Sequence, residues 1–122
     1  MTTPSVAIDP ACLFCRIVAG EIPTTLVHQD DLVLAFPDSA PRAPTHILVV
    51  PRQHIVSAAA LTDADSTTVG RLFAVAAQVA RDAGIAEAGY RLVTNIGRAG
   101  GQTVDHLHIH LMGGRSMTWP PG

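Results

Sequence analysis

Hydrophobic residues fall into five short β-like runs that are separated by polar segments or by segments containing Gly or Pro. The runs predict strands at Thr24–His28, Leu32–Phe36, His46–Val50, Tyr90–Asn95 and Asp105–Met112. The polar turn 29–31 joins the first two as a predicted hairpin, and a Pro-rich loop over 37–45 follows them. Because most connections are short, we expect a mostly antiparallel sheet.

One long helix is predicted over 62–83. Thr62 is placed to cap its start, and Gly84 is placed to end it. The apolar residues that recur at helical spacing within it are Val69, Leu72, Phe73, Ala76, Val79, Ala80 and Ala83. This stripe is typical of a helix that covers one face of a small sheet.

A shorter helix is predicted over 12–19, where apolar side chains precede Gly20. Residues 1–11 are expected to form a flexible lead-in. Combined with the predicted strands and the long helix, this pattern indicates a single α+β domain over 12–122.

Composition narrows the class of protein. Of 122 residues, 48% are hydrophobic and 15% are charged, which favours a packed core over disorder. Eight Arg and no Lys against ten acidic residues give a net charge of −2, without the basic blocks that bind nucleic acid or anionic membranes. No apolar run approaches the ~20 residues of a membrane span, and the N-terminus does not resemble a signal peptide. We therefore expect a cytoplasmic protein.

Three of the six histidines alternate within the segment 106–112 (HLHIHLM) of the last predicted strand. On a strand the three imidazoles share one face, and the intervening aliphatic residues face the long helix. Neighbouring rings would lie about 6.6 Å apart and the outer pair about 13 Å apart, so one metal ion does not easily bind all three. Separate roles are favoured, with a metal-only cluster and purely structural histidines as the alternatives.

The segment 106–112 resembles the motif of the histidine triad (HIT) family, in which three histidines alternate with hydrophobic residues. The resemblance covers about residues 12–122, and its ending is similar to the HINT branch rather than the Fhit branch. Further matching segments are 14–17 (FCRI), 21–23 (EIP), 35–38 (AFPD), 43–51 (APTHILVVP), Asn95, 100–104 (GGQTV), 113–115 (GGR) and 119–122 (WPPG). The resemblance implies a HIT-like fold whose sheet extends across a homodimer.

The HINT branch consists of hydrolases that cleave purine nucleoside 5′-phosphoramidates, releasing AMP or GMP and an amine. The resemblance implies that His108 is the nucleophile that forms a covalent nucleotidyl-histidine on the α-phosphorus. Imidazole suits this role because much of it is neutral at pH 7. The alternatives are a dinucleoside polyphosphate hydrolase or nucleotidyltransferase of the same superfamily, and a nucleotide-binding module with incidental turnover.

Other residues take roles through the same resemblance. The implied catalytic set is His46, His106, His108 and His110. His46 matches a fourth histidine that supports the triad by hydrogen bonding and helps to protonate the leaving amine. The positions that donate hydrogen bonds to phosphate oxygens are matched by His110, Asn95, Thr103 and the backbone of Gly101, with Thr103 standing where Ser is more usual.

The nucleoside is expected to lie among residues from the first half of the chain. Asp38 matches the carboxylate that accepts hydrogen bonds from both ribose hydroxyls. Ser39 stands where an apolar residue is more usual, and Trp119 could reach the site of a neighbouring subunit. The apolar residues that match the base pocket are Leu13, Phe14, Ile17, Phe36 and Leu48.

The only two cysteines, Cys12 and Cys15, cannot form a disulfide framework, and their CxxC spacing alone is a weak metal signal. Bacterial HIT proteins with a similar pattern bind zinc through this pair and two histidines, which correspond here to His54 and His106. Such a Cys₂His₂ set leaves no open coordination position, so the implied zinc is structural. A free buried dithiol is the alternative, and no catalytic metal is expected.

Overall fold

A computed structural model describes residues 8–122 of the chain. Most of the predicted lead-in over 1–11 therefore lies outside the described residues. The helices and strands are α1 (Leu13–Val18), β1 (His28–Gln29), β2 (Val33–Pro37), β3 (Thr45–Pro51), α2 (Ser66–Asp82), β4 (Tyr90–Val93) and β5 (Ile109–Gly113). Two short 3₁₀ turns, Ala58–Ala60 and Asp63–Asp65, lie between β3 and α2.

The five strands form one sheet in the order β1-β2-β3-β5-β4, and every pairing is antiparallel. The predicted antiparallel sheet with one long helix is thus confirmed. Strand β5 lies inside the sheet, where His110 pairs with Leu48 of β3 on one side and with Val93 of β4 on the other. The histidine-bearing strand is therefore held by two neighbours rather than exposed at an edge.

Alternation along the strands separates two apolar clusters on opposite faces of the sheet. One cluster packs under α2 and contains Val33, Ala35, Ile47, Val49, Ile55, Leu72, Val75, Ala76, Val79, Ala80, Ile85, Leu107, Ile109 and Leu111. The other packs under α1 and contains Cys12, Phe14, Cys15, Leu34, Phe36, Leu48 and Val50. The aliphatic residues between the histidines thus lie in the α2 cluster, as predicted, and the opposite face carries the histidines.

Helix α2 begins and ends close to the predicted positions. Thr62 precedes the 3₁₀ turn rather than the α-helix itself, and its N–H donates to the Asp65 carboxylate at 3.0 Å. Gly84 follows the helix with φ +76°, and the next N–H, of Ile85, donates to the Ala80 carbonyl at 3.1 Å. This bond is the one expected of a glycine C-cap.

The predicted apolar stripe of α2 is wrong at two positions. Phe73 is 50% exposed and Ala83 is exposed, whereas Val75, absent from the predicted stripe, is buried. The buried positions keep the spacing i, i+3, i+4, i+7 and i+8 from Leu72. Phe73 is one residue beyond Leu72, about 100° around the helix, and therefore faces away from the sheet.

All five strands differ from their predicted boundaries, and three of them differ by more than one residue. The first strand is His28–Gln29 instead of Thr24–His28, because Thr24 and the residues before it border a cavity rather than pair with β2. Strand β5 begins at Ile109 instead of Asp105, because the Leu107 N–H donates to the Ile55 carbonyl, outside the ladder. Strand β4 ends at Val93 because the Thr94 hydroxyl, not a backbone N–H, bonds to the His108 carbonyl.

Candidate active site

The three alternating histidines lie on the α1 side of the sheet, but only His110 is within β5. The rings of His108 and His110 are 4.9 Å apart between centroids. Phe14 of α1 packs edge to face against the rings of His106 and His108, with distances of 5.8 Å and 5.1 Å between ring centroids. Helix α1 thus covers the start of the triad and leaves its end open.

The orientation of His108 is set by the backbone of its neighbour. Its Nδ1 lies 2.6 Å from the His106 carbonyl oxygen, which can only accept, so Nδ1 carries the proton. In a neutral ring the lone pair is then on Nε2. The side chain is 4% exposed and lines a cavity, so it is shielded yet accessible to a ligand there.

A second hydrogen-bond chain orients His110. The Arg42 N–H donates to Nδ1 of His46 at 2.9 Å, which places the proton of a neutral His46 on Nε2. That Nε2 lies 2.9 Å from Nδ1 of His110 and 3.5 Å from an Asp38 carboxylate oxygen. Because Nδ1 of His110 accepts this hydrogen bond, the proton of the neutral His110 ring is on Nε2. The hydrogen-bond network therefore places an N–H donor beside His108.

Burial keeps His110 and His46 neutral. The pKa of His110 is lowered to about 4, first by burial and then by the positive forms of His108 and His46, against a smaller opposite effect of Asp38. Burial also lowers the pKa of His46, which Asp38 partly offsets and Arg42 reinforces. At neutral pH His110 is therefore a hydrogen-bond donor rather than a cation.

This shift predicts how stability depends on pH. Between about pH 6.5 and 4, an unfolded His110 takes up a proton that the folded site refuses, so folding stability falls as the pH is lowered. We expect the melting temperature of the wild type to drop more steeply over this range than that of a His110→Gln variant. Thermal unfolding from pH 8 to pH 4 measures both slopes; equal slopes would contradict the assignment.

A first cavity of about 490 Å³ adjoins the two histidines, within the usual size range of small-ligand sites. The predicted residues that line it are Leu13, Phe14, Ile17, Phe36, Asp38, Ser39, Leu48, Thr103, His108 and His110. The sequence interpretation missed Ile22, Pro23, Thr24, Pro37 and Val104, which also line it. Ile22 and Pro23 belong to the segment 21–23, which matches the family, and that match was the sequence signal that could have placed them at the cavity.

A second cavity of about 450 Å³ lies on the other side of His110. Its lining includes His46, Asn95 and three arginines, Arg42, Arg91 and Arg115. Asn95 therefore faces this cavity and not the first one. His110 lines both cavities, so the two form adjoining compartments of one site.

The glycine-rich loop between β4 and β5 is held by side-chain amides. Asn95 donates to the Gly100 carbonyl at 2.7 Å. Gln102, which the sequence interpretation did not single out, accepts from the Gly97 N–H at 2.9 Å and donates to the carbonyls of Val56 and Val104. These bonds fix the position from which Thr103 enters the first cavity.

Three of the residues predicted for catalysis or nucleotide binding lie outside both cavities. Gly101 is in the turn that ends the glycine-rich loop, with φ +84°. Trp119 is 84% exposed. His106 is fully buried and faces the cysteines, so it acts on the cavity only through its carbonyl bond to His108.

Cys12, Cys15, His54 and His106 place four donor atoms within 4.8 Å of one another. The sulfur of Cys15 lies 3.2 Å from Nδ1 of His54 and 3.5 Å from Nδ1 of His106, and the sulfur of Cys12 lies 3.4 Å from the latter nitrogen. In tetrahedral zinc with Zn–S of about 2.3 Å and Zn–N of about 2.0–2.1 Å, S and N lie about 3.5 Å apart. The four residues fit such an ion.

The surroundings of this cluster also suit a metal. Nε2 of His106 donates to the Pro51 carbonyl at 2.8 Å, which leaves Nδ1 as the free ligand atom. Burial raises the pKa of the Cys15 thiol, against a lowering by the Asp9 N–H that donates to its sulfur at 3.4 Å. A bound cation would displace that proton, since thiolate is the form that binds metal.

A second group, Asp38, His46 and His110, has donor atoms within 4.8 Å as well. It is a poor metal site, because both ring nitrogens of His46 are already engaged, one by the Arg42 N–H and the other by His110. Hydrogen bonding, not coordination, explains this group.

Comparisons with known proteins agree with this geometry. The family model described as HIT domain matches residues 19–117. The chain belongs to the histidine triad family. The resemblance to this family, inferred from the alternating histidines and the matching segments, is thereby confirmed.

Individual relatives of this HIT protein cover most of its length. It is 51% identical over 110 residues to an uncharacterised HIT-like protein of Synechococcus elongatus, covering 90% of this chain and 96% of that one. It is 48% identical over 105 residues to the purine nucleoside phosphoramidase of Escherichia coli, covering 86% and 88%. A HIT family hydrolase structure from Legionella pneumophila has a TM-score of 0.89 at 50% identity, covering 91% and 99%. These similarities support a hydrolase.

Within residues 8–122, this HIT chain has no helix that combines the length and the apolar composition needed to cross a bilayer.

Proposed function

We propose that the chain is a phosphoramidate hydrolase, which cleaves the P–N bond of purine nucleoside 5′-phosphoramidates through a covalent intermediate on His108. The observation that carries this proposal is the 2.6 Å contact between Nδ1 of His108 and the His106 carbonyl, which leaves Nε2 as the nucleophilic nitrogen. The name of the Escherichia coli relative supports the substrate class.

In the first proposed step, Nε2 of His108 attacks the α-phosphorus, and the P–Nε2 bond forms as the P–N bond to the amine breaks. Negative charge on the phosphate oxygens is stabilised by the N–H of His110 and the hydroxyl of Thr103, both of which line the first cavity. The carbonyl of His106 stabilises the positive charge that the His108 ring acquires.

The leaving amine needs a proton. A neutral His46 has only one N–H, and that proton points to His110, so the network suits hydrogen bonding better than proton donation. We therefore assign the amine's proton to solvent that enters through the second cavity. In the second step water attacks phosphorus, the P–Nε2 bond breaks, the hydroxyl stays on the nucleoside monophosphate, and one proton returns to solvent.

The nucleoside is proposed to occupy the first cavity. One Asp38 oxygen accepts the Ala40 N–H at 2.8 Å, which holds the carboxylate in place for the ribose hydroxyls. Phe14 and Phe36 meet edge to face at 5.5 Å and form a rigid apolar wall for the base.

Substrate comparison tests the proposal. We expect purified protein to release AMP from adenosine 5′-phosphoramidate with a kcat/KM at least about tenfold above that for Ap₃A or Ap₄A. Faster cleavage of the dinucleotides would instead support a polyphosphate hydrolase. Tight AMP binding without any turnover would support a nucleotide-binding module.

We also propose that Cys12, Cys15, His54 and His106 hold a structural zinc ion. Such an ion would tie α1, which carries one wall of the first cavity, to the segment before β5. The distances between the donor atoms support this proposal. The chemistry of the hydrolysis would not need the ion.

A homodimer is the proposed assembly. Strand β4 is at one edge of the sheet, with all four residues only half-buried, and a second copy could extend the sheet there. The exposed Trp119 follows Thr118, whose carbonyl accepts a hydrogen bond from Arg91 of β4, so we propose it as a contact of the partner's site. Light scattering should give twice the chain mass; a monomer at all concentrations would rule this out.

Cell fractionation would test the expected cytoplasmic location.

A further inference from the structure

The second cavity concentrates positive charge beside the reacting groups. Arg42, Arg91 and Arg115 are three of the eight basic residues of a chain whose net charge is −2. No Asp or Glu is among the described residues that line this cavity. Asp38 bonds to His46 and lines the first cavity instead. Among residues 8–122, the main-chain carboxylate of Gly122, which does line the second cavity, forms no salt bridge with the three arginines.

These three arginines are not neutralised within the protein. Elsewhere in the chain, Arg16 pairs with Glu21 and Arg71 pairs with Asp30. Among residues 8–122, by contrast, none of the cavity arginines forms a salt bridge. The cavity therefore presents charge that an anionic ligand can balance.

The guanidinium groups also retain unused donors. Each has five N–H bonds. Arg91 donates to the Thr118 carbonyl at 2.6 Å, and Arg115 donates to the carbonyls of Arg42 and Ser116 at 3.0 and 3.3 Å. Arg42 has no side-chain hydrogen bond in the part of the chain that the structure describes. Two are thus positioned by the backbone, and all three can still bind oxygen atoms.

The geometry of displacement determines what reaches this cavity. If the nucleoside fills the first cavity and His108 attacks the phosphorus in line, the leaving group departs on the side opposite to His108. The second cavity adjoins that position, since His110 lines both compartments. Asn95 and His46 border it with neutral polar groups.

We propose that the second cavity is the leaving-group subsite and that its arginines select amines carrying an oxyanion, either a carboxylate or a phosphate. This inference rests on the proposed phosphoramidate hydrolysis and adds the chemical class of the amine. Guanidinium groups bind both oxyanions through paired N–H donors, so the shared chemistry is the anionic group.

Matched substrates test the preference. Adenosine 5′-phosphoramidates of β-alanine, β-alaninamide and 2-aminoethylphosphonate differ in the terminal group and in little else. We expect the wild type to cleave the carboxylate or the phosphonate with a kcat/KM about tenfold above that for the amide. The better of the two anions identifies the source of the oxyanion. The preference should shrink as salt is raised, because the subsite is open to solvent.

Charge-matched variants locate the effect. Arg42→Gln and Arg91→Gln should each reduce the anion-to-amide ratio about two- to fivefold, as expected for a solvent-accessible ion pair. Arg81→Gln removes the same charge from α2, on the opposite face of the sheet, and should leave the ratio unchanged. Using a ratio of two substrates cancels general losses of activity or folding.

The outcomes separate this inference from the proposed function. Turnover of all three substrates with equal kcat/KM, or a ratio that Arg42→Gln and Arg91→Gln do not alter, overturns the subsite and leaves the hydrolase intact. Failure to cleave the amide or unsubstituted adenosine 5′-phosphoramidate at all overturns the hydrolase itself.

Discussion

His108→Gly is expected to lower the release of AMP from adenosine 5′-phosphoramidate by at least about 10³-fold, because no other imidazole in the first cavity has a free nitrogen of the right kind. His110 lines the same cavity, but its Nδ1 accepts from His46 and its Nε2 carries the proton. Loss of a nucleophile that forms the covalent intermediate removes the reaction path rather than weakening it.

Two measurements make this result specific. Added imidazole should restore part of the activity of His108→Gly by entering the space of the missing ring. Wild type quenched in an alkaline denaturant, in which the P–N bond of a nucleotidyl-histidine survives, should carry the nucleotide on a peptide that contains His108. His28→Gly is the matched control. His28 lies on β1, its Nε2 is 2.7 Å from a carboxylate oxygen of Asp30, and it does not line the first or second cavity. A full rate in His108→Gly, or a label on another residue, would refute the mechanism.

Removal of the proposed zinc is expected to lower the melting temperature by about 12–20 °C. An ion present at a thousand times its Kd adds about 4 kcal/mol to folding stability, and each kcal/mol shifts the melting temperature of a domain of this size by about 3–5 °C. The loss should be large because the cluster joins residues 94 positions apart, Cys12 and His106. Metal analysis should find one zinc ion per chain.

A histidine variant tests the site without disturbing the fully buried Cys15. His54 is only half-buried, so His54→Ala should fold, bind little zinc and resist further destabilisation by a chelator. His28→Ala removes another half-buried imidazole and should stay as sensitive to the chelator as the wild type. Zinc-free wild type with an unchanged melting temperature would favour the alternative of a free dithiol.

Local patterns predicted the elements of this fold well and their ends poorly. Alternation identified the strand that carries the histidines and showed which side chains face α2, because side-chain direction follows from backbone period alone. The start of β5 could not be found this way. It depends on the Leu107 N–H, which bonds to Ile55, a residue 52 positions earlier, instead of to a neighbouring strand.

The same limit applies to α2. Helical spacing predicted the helix. Gly84 indicated its end, because the bond from the Ile85 N–H to the Ala80 carbonyl is local to the last turn of α2. Which of the adjacent apolar residues is buried depends on where the sheet lies. Phe73 and Val75 both fit an apolar surface, and only packing against the sheet determined that Val75 is the one inside.

The chemistry of the site divides in a similar way. The types and order of the reactive residues, including the Cys pair and the resemblance to the HIT family, were available from the sequence. The tautomers were not, because they depend on contacts between residues far apart in the chain, such as His46 and His110, 64 positions apart. The arginine-lined cavity is likewise assembled from Arg42, Arg91 and Arg115, which no single motif contains.

The sequence by itself therefore determined the family, the sheet and the alternation that turns the histidines away from α2, since these follow from periodicity and from short motifs. The resemblance also implied that His106 lies with the cysteines and His108 with the nucleotide. Only the tertiary structure decided how each of these two rings is oriented. The physical reason is that the chain leaves regular strand geometry before Ile109, and each ring there takes the orientation that its own hydrogen-bond partner, the Pro51 or the His106 carbonyl, requires.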